Sequence, residues 1–140
     1  MIVHLTSAFF HELLQYSRKH APQEACGLIT GTLIGETDIA AELFIPIRNS
    51  SSTPKQHFIM NPTDLIPVIT DATLQVIGMF HSHPAAPPIP SSQDLETEWH
   101  TIPSHWILSL HAPTESSLQI YAIKKAPLTA YRKLPFVICQ

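Results

Sequence analysis

The sequence predicts a mixed α+β fold arranged around one sheet, on three observations. Ser7–His20 carries its apolar residues at helical spacing. Short apolar runs bounded by Gly, Pro and polar clusters recur along the rest of the chain, as strands do. No segment repeats and no linker divides the chain, so residues 1–140 read as a single domain of ordinary size.

The elements follow in order. In the helix over 7–20, Phe9, Phe10, Leu13, Leu14 and Ser17 share a face, Thr6 or Ser7 caps the start and Pro22 closes the end. Residues 25–30 are a short apolar run ending at Gly31 and read as a buried strand; 32–38, with Gly35, is a turn region. Residues 39–47 read as a second strand, 48–55 as a polar loop and 57–60 as a short strand. Asn61-Pro62-Thr63-Asp64 is a turn feeding a helix to about Ala72, with Thr63 as its cap. Residues 75–81 are an apolar run expected to form a central strand. Four prolines within 84–90 demand an irregular or polyproline-like loop, and 91–100 reads as a helix start. Residues 106–111, 118–124 and 130–138 read as three strands, with turns at 113–116 and at Pro127.

Composition excludes several functions. Apolar residues make up 44% of the chain, enough for a core without staples. Charged residues are only 14%, the net charge is -3 and no Lys/Arg run occurs, which argues against nucleic acid or an anionic membrane as a partner. Cys26 and Cys139 form neither a CxxC nor a structural-zinc pattern and fit free thiols in a reducing compartment. Met1-Ile2-Val3-His4-Leu5-Thr6 lacks the regions of a signal peptide, and no run approaches the roughly 18 apolar residues that span a bilayer. The expectation is a soluble cytoplasmic protein; its oligomeric state is not encoded legibly.

One stretch points at chemistry: His81-Ser82-His83-Pro84, then Ser91-Ser92-Gln93-Asp94. Side chains two apart on a strand project from the same face, so His81 and His83 present their rings together. Asp94 returns through a proline loop that is stiff and loses little entropy on being fixed. Two imidazoles and a carboxylate are three ligands, which leave a zinc ion a fourth position for water, as catalytic sites do. Such an ion lowers the water's pKa from about 15.7 to about 7. Each half has a plainer reading: an isolated HxH is usually coincidence, and SxxD alone is more often a helix cap. Their conjunction is what points to a metal. Other HxH enzymes fit poorly. Ala85 and Ala86 stand where a metallo-β-lactamase needs Asp and His, a TIM-barrel amidohydrolase needs about 250 residues, and a zinc deaminase needs a PCxxC element.

Residues 78–84 through Ser91-Ser92-Gln93-Asp94 resemble the HxH plus SxxD motif of the JAMM (MPN-plus) metalloproteases, and the spacing between His83 and Ser91 suits them. Upstream, Pro22-Gln23-Glu24-Ala25-Cys26-Gly27-Leu28-Ile29-Thr30-Gly31 resembles the P-x-E-x-C-G-L-x-x-G strand of the small prokaryotic members. Asn49 and the Phe58 to Pro62 segment sit where that subgroup has a strand-end Asn and F-x-x-x-P. The resemblance runs from Ser7 to about Trp99 and weakens beyond. It implies a mostly antiparallel mixed sheet flanked by helices, in an MPN/JAMM-like, cytidine-deaminase-like layered architecture. It also implies that His81, His83 and Asp94 bind zinc. Glu24, on its own a solvated strand-mouth carboxylate, becomes the general base that takes a proton from the water and passes it to the leaving amine. Ser91 becomes the donor to the oxyanion.

His4, His11, His20, His100, His105 and His111 have no ligand spacing and read as structural or surface residues, as does His57. Cys26 reads as a small buried thiol. The resemblance implies a zinc metallopeptidase or isopeptidase acting on the C-terminal tail of a ubiquitin-like or sulfur-carrier protein. The rival is a non-catalytic MPN-like scaffold that binds such a partner without cutting it. A third reading, a phage-tail or cell-wall hydrolase, expects a partner domain on the same chain, and none is visible.

Overall fold

The computed structural model describes residues 1–111, 117–126 and 128–140. Its strands are β1 (Val3–Thr6), β2 (Cys26–Ile34), β3 (Asp38–Ile47), β4 (Val76–His83), β5 (Ser104–Ser109), β6 (Leu118–Lys124), β7 (Ala130–Lys133) and β8 (Phe136–Cys139); its helices are α1 (Ser7–His20), α2 (Pro62–Ile69) and α3 (Ser92–Leu95). The turns expected at 113–116 and at Pro127 lie outside the described residues.

Helix α1 has the expected limits. The Thr6 hydroxyl accepts from the Phe9 N–H at 3.0 Å, Phe9, Phe10, Leu13 and Ser17 form the buried face, and Arg18, Lys19 and His20 complement the dipole in the last turn. The sheet runs β7-β6-β5-β4-β2-β3-β1-β8. It is mixed: β2/β3, β2/β4, β5/β6 and β6/β7 pair antiparallel, while β1/β3, β1/β8 and β4/β5 pair parallel. β4 is central, as expected.

The two edge strands are consecutive in the chain, and that dictates the sheet's shape. Only Leu134 and Pro135 separate β7 from β8. The Leu134 N–H donates to Ile120 of β6, and the Val3 N–H of β1 donates to the Pro135 carbonyl. In a flat sheet of this order the edges would lie about 33 Å apart, while the connecting residues reach about 10 Å. The sheet therefore curls, and α1 fills its concave side against β1, β3, β5 and β8. Val3, Leu5, Phe9, Leu13, Phe80 and Trp106 pack there. On the other face Cys26, Leu28, Ile47 and Met79 pack against Leu65 and Val68 of α2.

Several expectations change. β1 is an element the hydrophobic pattern did not announce, because it is four residues long. β2 continues through Gly31 to Ile34; a Cβ at Gly31 would lie 1.9 Å from the Ala40 carbonyl oxygen, so glycine lets the strands close up at a bulge instead of ending the strand. The turn shrinks to three residues led by Gly35, whose φ is 61°. Residues 57–60 form no strand, only a bridge between Met60 and Asn49. Asn61, not Thr63, caps α2, which ends at Ile69, and α3 is a single turn. The run over 130–138 is two strands on opposite edges. Among the described residues no helix is long and apolar enough to cross a membrane.

Candidate metal centre

β4 ends at His83 because Pro84 has no N–H to continue a ladder. The two-residue period sends His81 and His83 to the α2 face and Ser82 to the other. Ser82 ties β4 to the start of β2. Its Oγ accepts from the Ala25 N–H at 2.8 Å, and its N–H donates to the Ala25 carbonyl at 2.9 Å. Cys26 pairs with His81, so the same register continued by two residues sets Glu24 across from His83. The Glu24 backbone is held at both ends. Its N–H donates to the Pro54 carbonyl at 2.7 Å, and its carbonyl accepts from the Asn49 amide at 3.0 Å. Asn49 also donates to the His57 carbonyl and accepts from the Ser51 and Ile59 N–H groups, tying the loop to the strand.

The proline loop is anchored through its carbonyls, since four of its seven residues lack an N–H. Three successive carbonyls are gripped: Ser109 Oγ donates to Ala86, His83 Nδ1 to Pro87 at 2.8 Å, and the Tyr121 hydroxyl to Pro88. The loop delivers the chain to a capping box, in which Ser91 Oγ accepts from the Asp94 N–H at 3.1 Å and Asp94 Oδ2 accepts from the Ser91 N–H at 2.8 Å. Ser91 is thus a cap, as its plainer reading had it, and its own hydroxyl proton is left free to donate.

These supports bring three ligand atoms together. His81 Nε2 lies 3.2 Å from Asp94 Oδ1, His83 Nε2 lies 3.1 Å from Asp94 Oδ2, and the two Nε2 atoms are 3.0 Å apart. Nδ1 of His83 donates to the Pro87 carbonyl, so when the ring is neutral its lone pair is on Nε2, the nitrogen that faces Asp94. Phe58 stacks on the His81 ring at 4.5 Å and 24° and holds its plane. Burial works to raise the Asp94 pKa, but hydrogen bonds from His81 and His83 override it and hold the carboxyl well below the usual carboxylate range. Burial lowers the pKa of His81. For His83 burial acts the same way and is outweighed by Asp94 and the Pro87 carbonyl, leaving it raised. Glu24 is 6% exposed, and burial pushes it up to about 7. Its Oε1 has no hydrogen-bond partner. Three convergent lone-pair donors, two nitrogens and one oxygen, suit a divalent ion such as zinc, and a poised carboxylate stands beside them.

All five residues singled out in the sequence meet at this end of β4 and β2. His4 lies against Asp38 at 3.4 Å and His20 bonds the Tyr16 carbonyl, both remote from the centre. His57 and His105, read as structural or surface residues, line a cavity of about 430 Å³ beside His81 and Asp94. The roles of Ser109 and Tyr121 carried no signal, and that of Phe58 none beyond the F-x-x-x-P resemblance, because each acts through a contact distant in sequence. Cys26 is a buried thiol whose Sγ donates to the Ile47 carbonyl, and burial pushes it up to about 12.

Residues 6–121 match the family described as prokaryotic homologs of the JAB domain. A desampylase of Pyrococcus furiosus is 40% identical over 76 residues, 52% of this chain and 50% of that protein. A desampylase of Haloferax volcanii is 30% identical over 91 residues, 60% and 63% of the two. A probable TtuB-protein conjugate cleaving protease of Thermus thermophilus is 24% identical over 103 residues, 71% of this chain and 66% of its own. The matched part thus spans about half to two thirds of the length of these relatives. The solution structure of a Desulfitobacterium hafniense protein superposes with a TM-score of 0.82 at 30% identity, covering 99% of this chain and 93% of that one.

Proposed function

Because this chain belongs to the family of prokaryotic homologs of the JAB domain, we propose that it is a zinc-dependent isopeptidase. It hydrolyses an amide bond at the C-terminal tail of a ubiquitin-like or sulfur-carrier protein. The observation that carries the proposal is the convergence of His81, His83 and Asp94 with the buried, unpartnered Glu24 carboxylate alongside. The relatives named for cleaving such conjugates support the substrate class.

His81, His83 and Asp94 would hold the ion, which when bound would acidify a water and polarise the scissile carbonyl. Glu24 accepts the proton of the attacking water and delivers it to the departing amine, a role suited to a carboxyl with a pKa near neutrality. The Ser91 hydroxyl, whose oxygen is fixed by the Asp94 N–H, donates to the oxyanion as charge develops. Asn49 and Ser82 keep Glu24 in register with the histidines.

The test is incubation of zinc-loaded protein with Gly-Gly-tailed carriers and their C-terminal adducts, read by mass spectrometry. Cleavage that falls about 10²- to 10⁴-fold in Glu24→Gln, with zinc still bound, is expected. Full activity in that variant sinks the mechanism. Protein purified without chelator that holds only a trace of metal sinks the enzyme reading and leaves an MPN-like scaffold.

A further inference from the structure

The cavity beside the centre, about 430 Å³, is of the size that holds ligands, commonly about 300–1,000 Å³. His81 and Asp94 form part of its wall; Glu24, His83 and Ser91 do not. Its floor is apolar. Met79 of β4 and Ile107 of β5 are buried in it, and Ile107 pairs with His81 in register, so the apolar surface runs up to the ligand set.

The rim has a different chemistry. The segment after α3 brings Glu96, Glu98 and Trp99 to it. Both carboxylates are exposed, and among the described residues neither is in an ion pair. Lys125 stands by this segment but is engaged on its backbone, donating to the Thr97 carbonyl at 3.2 Å, and it is not part of the lining. The Thr97 hydroxyl accepts from the Trp99 N–H at 3.0 Å, so one residue fixes the turn that carries the indole and both carboxylates. Among the described residues no lysine or arginine lines the cavity.

An occupant that matches both parts has an aliphatic stem for the floor and a positive charge for the rim. Carboxylates attract a cation directly, and an indole attracts one through its π face. A wholly apolar side chain would leave the rim unused, and an anionic one would meet two like charges.

We propose that this cavity is a substrate subsite for one arginine or lysine side chain, its stem on Met79 and Ile107 and its cationic tip among Glu96, Glu98 and Trp99. The proposal rests on the isopeptidase reading for its place on the substrate. Glu24, which delivers the proton to the amine, is absent from the lining, so the cavity receives a residue on the acyl side, upstream of the Gly-Gly end. The three rim residues set specificity and take no part in bond breaking.

Binding tests this without requiring cleavage. Zinc-loaded protein is titrated by calorimetry with acetyl-X-Ala-Gly-Gly and acetyl-Ala-X-Gly-Gly, X being arginine, citrulline or glutamate. Citrulline has the shape of arginine without its charge. Successive side chains of an extended tail point opposite ways, so one of the two registers should show the effect. In that register arginine should bind about fivefold more tightly than citrulline at low salt, and the ratio should shrink as salt is raised. Emission from Trp99 should shift on binding; Trp106, the other tryptophan, is fully buried on the concave face and should report no change. Reversing the rim with Glu96→Lys and Glu98→Lys together should invert the order, glutamate then binding more tightly than arginine. Both positions are exposed, so the fold should tolerate the change. Equal affinities for arginine and citrulline in both registers, a preference that survives the charge reversal, binding with unchanged Trp99 emission, or no binding by any peptide overturns the proposal. A preference that holds while no adduct is cleaved overturns the isopeptidase reading and leaves the subsite standing.

Discussion

The two faces of one sheet have been put to different uses. On the concave face α1 packs against hydrocarbon and aromatic rings, with Phe9 edge-on to Trp106 at 5.7 Å and Phe44 edge-on to Phe80 at 5.4 Å. The opposite face has the short α2, two methionines, a cavity, and the buried polar groups Glu24, His81, His83 and His105. β4 serves both at once, sending Phe80 and Ser82 one way and Met79, His81 and His83 the other. One face stabilises the strands that hold ligands on the other, so substitutions on the two faces should fail differently.

Truncation in the concave core should have the largest effect. Phe80→Ala should cost about 3–5 kcal/mol in denaturant unfolding of chelator-treated protein, whereas His81→Ala on the neighbouring face should abolish zinc binding at a much smaller cost. Equal costs would erase the distinction between the faces. Next is the buried carboxyl. In chelator-treated protein Glu24 is raised from 4.5 to about 7, so between those values the folded state binds more protons than the unfolded. Stability should then fall as pH rises through that window, by about 3 kcal/mol, and Glu24→Gln should flatten that slope in pH-dependent melts. A smaller effect is expected at the loop. Tyr121→Phe removes the donor to the Pro88 carbonyl and should cost about 1 kcal/mol, with zinc affinity weakened several-fold as Asp94 loses its seating. The smallest lies on the surface. Hydrogen bonds from Arg48 hold Asp64 below its ordinary 3.8; the pair's contribution is present above that value and is lost as pH falls through the lowered one. Arg48→Ala should flatten that part of the acid slope, lowering stability slightly at neutral pH and leaving it unchanged below the lowered value.

How far the sequence could be read depended on the range of the contacts. Ser7–His20 and Leu118–Lys124 were legible to the residue because periodicity and a cap are local signals. His81 and His83 were legible as a pair for the same reason. The break in 130–138 was not: an apolar run does not say that Leu134 and Pro135 carry the chain from one edge of a curled sheet to the other, a step that depends on β1 offering a free edge. Glu24 became legible only through resemblance, since its place opposite His83 comes from strand pairing across more than fifty residues. That His105 is buried with its Nε2 unpartnered was not legible, because burial is built by segments distant in sequence.

By itself the sequence determined the ingredients whose geometry is set within a few bonds: a capped amphipathic helix, two imidazoles on one strand face, a stiff proline loop and a Ser-x-x-Asp cap. Only the tertiary structure decided which carboxylate stands beside them, how the loop is anchored through three carbonyls, and which ring nitrogen is buried without a partner. Backbone dihedrals and side-chain periodicity are local and written in order along the chain. Desolvation and partner choice belong to surfaces that exist only after distant segments have packed.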